Sequence, residues 1–206
     1  MNMDTNLFVV ICFSISLAGC ASINPSPSIP IDPINTYRID VSSRENGKIT
    51  HYSTADLKQK KIGVLTTENT KKTFDYLERT KEKNIEWKNY GYGSDIDVTY
   101  LTKIIEARLK KAFLDIKYVD SIEGVYDYWI YLDITSIIGA RSYHETSVDV
   151  KLIFVNNKNE YMGQIEANGI DLVAYPYYLS AGFTSAVKKM SEYLDAQLEG
   201  GVDLIK

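Results

Sequence analysis

Asp97-Val98-Thr99-Tyr100-Leu101-Thr102-Lys103-Ile104-Ile105-Glu106-Ala107-Arg108-Leu109-Lys110-Lys111-Ala112-Phe113 is the stretch from which the fold can be read. Tyr100, Leu101, Ile104, Ile105, Arg108, Leu109, Ala112 and Phe113 recur at spacings of three and four, so a helix here carries one apolar face and must bury it. Ser94 or Asp95 is placed to cap that helix, with Asp97 in its first turn. Lys103, Arg108, Lys110 and Lys111 lie toward the C-terminal half, where the helix dipole favours cations. Immediately afterwards the period falls from 3.6 to two. Ile116 to Val119 reads as a short strand, Tyr126 to Ile138 alternates with Tyr126, Tyr128, Ile130, Leu132 and Ile134 on one face, and Ser147 to Val155 alternates with Val148, Val150, Leu152 and Phe154.

Outward from this centre the other elements follow. Asn156 to Glu160 makes a hairpin loop, and Tyr161 to Val173 returns antiparallel to the strand before it. Ala181 to Leu198 is a second amphipathic helix, with Phe183, Ala186, Val187, Met190, Tyr193, Leu194 and Leu198 on one face and Gly200-Gly201 ending it. Upstream, Lys61 to Thr66 is a short apolar run suited to a central strand. The charged segment Asn69 to Lys88 has apolar residues only at Phe74, Leu77, Ile85 and Trp87, and reads as a weak helix and loop. Tyr37 to Val41 alternates like an edge strand, with Ile49 to Tyr52 as its return partner across a Glu45-Asn46-Gly47-Lys48 turn. The expectation is an α+β fold in which two amphipathic helices cover one face of a mixed, mainly antiparallel sheet.

The N-terminus is of another kind. An apolar run from Leu7 ends at Leu17-Ala18-Gly19-Cys20, too short for the roughly 18 to 20 residues that span a bilayer, and it resembles the signal peptide and lipobox of bacterial lipoproteins. The n-region departs from that pattern, since Met1 to Asn6 contains Asp4 and no Lys or Arg. The resemblance implies removal of residues 1–19 and acylation of Cys20, where two or three chains anchor firmly at about 0.8 kcal/mol per buried methylene. Ala21 after the cysteine resembles the pattern sent to the outer membrane, with the domain in the periplasm; retention at an inner membrane or at the membrane of a single-membrane cell stays open. Residues 20–35 hold four of the five prolines and form a tether of extended backbone, leaving 36–206 as one domain. Cys12 leaves with the signal and Cys20 carries lipid, so no disulfide is expected.

The net charge of −4 and the lack of a basic stripe argue against nucleic acid as a partner. The order strand, helix, strand meander, helix over residues 60 to 199 is similar to that of small periplasmic lipoproteins of the YajG type, of auxiliary lipoprotein subunits of ABC-type transport systems, and of the compact domain of penicillin-binding-protein activator lipoproteins. The likeness rests on the Ile62 to Leu65 strand, the Asp97 to Phe113 helix, the Ile116 to Asp120 strand and the Leu152 to Ile165 hairpin. It implies a non-enzymatic role in envelope transport, assembly or regulation.

For catalysis the chain offers His144 with Ser142, Glu145 and Asp149, a set without the spacing of a triad or a hydrolase elbow, so no catalytic residue, metal or cofactor is expected. Sixteen tyrosines are more informative. Most suit pleated surfaces, but Tyr175, Tyr177 and Tyr178 fall between the last strand and the last helix, and Tyr90 and Tyr92 fall in another loop. These five are the candidate contacts for an envelope partner, since loop tyrosines give large area at low entropy cost. Two alternatives remain: a lipid or glycan carrier, which needs a lined cavity between the helices and the sheet, and a hydrolase using His144.

Overall fold

The computed structural model describes residues 48–88, 96–140, 145–172 and 179–205. Within them lie β1 (Ile49–Tyr52), α1 (Thr54–Lys58), β2 (Lys61–Thr66), α2 (Glu68–Lys88), α3 (Val98–Ala112), β3 (Asp115–Val119), β4 (Tyr128–Ala140), β5 (Glu145–Val155), β6 (Tyr161–Leu172), α4 (Leu179–Gly200) and β7 (Val202–Ile205). Five strands form one sheet in the order β3-β2-β4-β5-β6, and β1 pairs with β7 in a separate two-stranded sheet. β2 runs parallel to both β3 and β4, whereas β4, β5 and β6 form long antiparallel ladders. The fold is α+β with a mixed sheet, as the switch of period implies.

One face of the sheet carries Ile62, Val64, Ile130, Leu132, Ile134, Val150, Leu152 and Phe154, against which α3 places Leu101, Ile105 and Leu109 and α4 places Phe183, Val187, Met190 and Leu194; all are buried. Each such side chain contributes about 1.5–3 kcal/mol on leaving water. The other face bears a smaller apolar patch of Leu65, Trp129 and Val155 near one end, partly roofed by Ile122 and Tyr126. Tyr193, read from the spacing as part of the buried face of α4, is instead 52% exposed. It sits at the margin of the apolar stripe, where a phenol reaches water at little cost.

Three further boundaries differ from the sequence reading. Asp97, not Ser94 or Asp95, caps α3: its carboxylate accepts from the Tyr100 amide at 3.1 Å. The segment read as weak helix and loop is one helix of 21 residues, α2. Its apolar content is low because hydroxyls do much of its docking. Thr70 Oγ1 donates to Leu132 O (2.9 Å) and accepts from Ile134 N (2.7 Å), and Thr73 Oγ1 donates to Ile134 O (2.8 Å). Tyr76 OH donates to Ile138 O (3.3 Å) and accepts from Ile138 N (3.0 Å). β2 stops at Thr66, opposite Leu132, so these bonds continue along β4 the pairing that β2 begins.

Third, Ile49 to Tyr52 pairs with the C-terminal residues Val202 to Ile205, with Ile49 opposite Ile205 and Tyr52 opposite Val202. The partner expected for it, Tyr37 to Val41, lies outside the described residues. α4 runs on to Gly200, and Gly201 at φ 86° turns the chain into β7, a backbone conformation that glycine adopts without strain. Thr54 Oγ1 donates to Glu199 O at 3.1 Å and His51 Nδ1 lies 2.8 Å from Asp203 Oδ1, so the first and last described elements are fastened to each other.

Candidate partner-binding end of the domain

β4 spans the long dimension of the sheet and gives the domain two poles. At the Tyr128 pole, the Tyr128 hydroxyl bonds that of Tyr52 at the end of β1 (3.2 Å), and α4 ends beside α1. Lys48, the first described residue, enters here through β1. At the Ala140 pole, Ala140 is paired with Glu145, and Glu145 with Leu172. Segments 141–144 and 173–178 therefore leave the sheet from adjacent positions.

α4 begins at the same pole. Lys189 Nζ donates to Ile170 O (3.0 Å) and bonds Asp171 Oδ1 (2.9 Å), which sets the N-terminal half of the helix alongside the end of β6. Burial alone raises the Asp171 carboxyl, but the bonds from Lys189 and Ser185 outweigh it and hold the group below the usual carboxylate range. α2 climbs along β4 from Thr70 beside Leu132 to Tyr76 beside Ile138. From there to Lys88 it rises about another 18 Å in the same direction. Segment 89–95 thus starts at this pole too. It ends at the start of α3, which runs parallel to α4, as the Arg108–Asp195 (2.9 Å) and Lys111–Glu199 (2.8 Å) pairs require.

The sequence-derived candidates Tyr90, Tyr92, Tyr175, Tyr177 and Tyr178 fall in segments 89–95 and 173–178, outside the described residues, as do His144, Cys20 and the whole of 1–47. What the described residues fix is where those segments are rooted. All three internal ones are rooted at the Ala140 pole, whereas the N-terminal segment is rooted at the other, about 40 Å away along β4.

Two polar groupings were not foreseen from the sequence. On the face of the sheet away from α3 and α4, Asp133 is 1% exposed and accepts from Thr67 Oγ1 at 2.6 Å and from Asn69 Nδ2 at 3.4 Å, next to the first turn of α2. The recurrence of hydroxyls at every third position, Thr67, Thr70, Thr73 and Tyr76, is the sequence signal that could have revealed this docking edge. The second grouping is a shallow cavity of about 210 Å³ at the Tyr128 pole, lined by Thr54, Lys58, Arg108, Lys111, Asp195 and Glu199 among others. Its charges largely satisfy one another. Glu199 and Asp195 raise the Lys111 ammonium above its ordinary value, and Lys111 lowers Glu199. Arg108 Nε lies 2.9 Å from Asp195 Oδ2, but its N–H makes no aligned hydrogen bond, so this contact is an ion pair only.

The space between the helices and the sheet, where a lipid or glycan carrier needs its cavity, is filled among the described residues by the side chains of the main core. Among those residues no group of three or more His, Cys, Asp or Glu is placed to hold a metal ion, and no described helix is long and apolar enough to cross a membrane, which leaves strands aside. Comparison with family models, with curated proteins and with solved structures gave no match.

Proposed function

We propose that this chain is a non-catalytic envelope lipoprotein, anchored through acylated Cys20 and holding its domain on the 20–35 tether so that the Ala140 pole meets a protein partner in envelope transport or assembly. One observation carries the reading: the chain enters at one pole of the sheet, through β1, and the segments containing Tyr90, Tyr92, Tyr175, Tyr177 and Tyr178 are rooted at the other. A domain tethered at the Tyr128 pole directs the opposite one away from the lipid surface. Tyrosines there combine apolar area with a hydrogen-bonding tip.

The reading is tested by photo-crosslinking in cells from two sites. A crosslinker at position 177 should yield one discrete adduct with an envelope protein, and a crosslinker at position 51, by the tether root, should not yield it. The same adduct from both sites, or from position 51 alone, would contradict the assignment of poles.

A further inference from the structure

β4 is much longer than the strand beside it. Among the described residues its outer edge has no strand neighbour beyond Leu132, and the outward-facing amides and carbonyls belong to Ile134, Ser136 and Ile138. The sequence of that edge is Ile134-Thr135-Ser136-Ile137-Ile138: β-branched at four of five positions, uncharged, and without proline or glycine. Such a run on an open edge is a template for pairing with another strand. It is also self-complementary. An antiparallel pair of copies centred on Ser136 places Ile134 opposite Ile138 twice and exchanges backbone bonds at all three outward positions.

The edge is blocked by α2 in an uncommon way. Three residues of a helix rise about 4.5 Å, whereas two residues of a strand rise about 6.6 Å, so hydroxyls spaced by three fall progressively behind the groups they must reach. Thr70 and Thr73 serve Leu132 and Ile134 with short side chains, and the longer reach of Tyr76 recovers the lag at Ile138. Besides these bonds, Leu77 is fully buried, Phe74 packs against the main core, and Thr67 and Asn69 bond Asp133 at the start of the helix, whereas Lys71, Lys72, Asp75, Glu78 and Arg79 are exposed.

We infer that α2 is a guard on a latent self-pairing edge, and that releasing its Thr70, Thr73 and Tyr76 hydroxyls from β4 lets a second copy of the chain dock there, β4 against β4. The other edges are dealt with differently, since Lys189 covers β6 at Ile170 and β3 is only five residues long with Lys117 at its centre. Neither presents a long uncharged run.

The experiment uses the full-length chain in detergent, with mass measured by light scattering over a range of concentrations. The wild type is expected to be a monomer. The Thr70→Val, Thr73→Val, Tyr76→Phe triple variant, with native near-UV dichroism, is expected to dimerise as concentration rises. Adding Ile137→Lys, a half-exposed position that faces Thr135 of the other copy in this register, is expected to restore the monomer. A folded triple variant that stays monomeric, a dimer indifferent to Ile137→Lys, or a wild type already paired through this edge would overturn the inference. Should the triple variant lose its near-UV spectrum, Tyr76→Phe alone decides: a dimer that Ile137→Lys abolishes supports the guard, and a monomer at every concentration overturns it.

Discussion

Gly169 of β6 lies directly beneath the backbone of α4 at Ala186, so close that a methyl group at position 169 would overlap the Ala186 carbonyl oxygen and crowd the Met190 amide. The helix can approach this near only because the strand offers no side chain there. Gly169→Ala should therefore push α4 off the sheet and cost about 3 kcal/mol or more, the upper end of overpacking penalties. Chemical denaturation measures it. A variant as stable as the wild type would mean that α4 does not sit where it is described.

Leu109 tests the neighbouring helix on the same face of the sheet. It is fully buried on α3 within the main core, so Leu109→Asp places a carboxylate among apolar side chains with nothing to pair it. The expected result is loss of the cooperative melt, and an unchanged melting curve would show that α3 faces the other way.

The pairing of β1 with β7 makes Val202 to Ile205 the support of the first described strand. A domain beginning at Thr36 should be monodisperse and unfold cooperatively with or without reductant, and removing Val202 to Lys206 from it should lower the melting temperature and speed amide exchange in Ile49 to Tyr52. Exchange that stays unchanged in β1 would place its support elsewhere.

Stability should hold a plateau between two pH limits. Asp56, Asp97, Asp171 and Glu199 are all held below their ordinary values, by hydrogen bonds from Ser53 to Asp56, from Thr99 and Tyr100 to Asp97, by Lys189 and Ser185 outweighing burial at Asp171, and by Lys111 at Glu199. A lowered carboxyl adds stability that is complete above its unfolded value and is lost as pH falls through its folded one, so the acid limb begins below about pH 4. On the alkaline side Lys111 is raised by Glu199 and Asp195, and burial, aided by the Glu106 charge, raises the Tyr118 phenol to about 12. Raised groups contribute fully below their unfolded values, and that contribution fades as pH climbs through the folded ones, here upward from about pH 10. Absorbance of tyrosinate against pH should show a late phase that Tyr118→Phe diminishes and does not abolish, because burial and the bond to Tyr52 raise Tyr128 as well. Loss of stability already at pH 8 would contradict this assignment.

The strand ladder from Tyr128 to Leu172 and helices α3 and α4 were legible in the sequence, because each buries one face of an amphipathic pattern and the period reports which. α2 was only half legible. Hydropathy registers apolar burial and is blind to threonines that dock by hydroxyl, so a helix fastened through Thr70, Thr73 and Tyr76 reads as weakly helical. β7 was missed because four residues after a Gly-Gly pair carry no period, and because its partner β1 is the most distant described strand in the chain. Tyr193 shows the limit of face assignment at a stripe's margin. Of the candidate site, the sequence supplied the tyrosines and their segments; that the described residues flanking those segments lie at the pole opposite β1 is a property of register, which no local pattern encodes.

If the tyrosine segments contact a partner, Tyr177→Ala and Tyr178→Ala should leave the melting curve unchanged and weaken capture of the partner by about 1 to 2 kcal/mol each, as for interface aromatics. His144→Ala should be silent in the same assay. Normal capture by the tyrosine variants, with loss of cellular function in the histidine variant alone, would move the weight to a hydrolase.

Acylation of Cys20 is the claim on which the anchored reading stands. Cells grown with an alkyne-bearing fatty acid and probed by conjugation to a fluorophore should show a labelled band for the wild-type chain and none for Cys20→Ala, which should persist as the uncleaved precursor. A wild type that takes up no label, or a Cys20→Ala variant that labels equally, would contradict it.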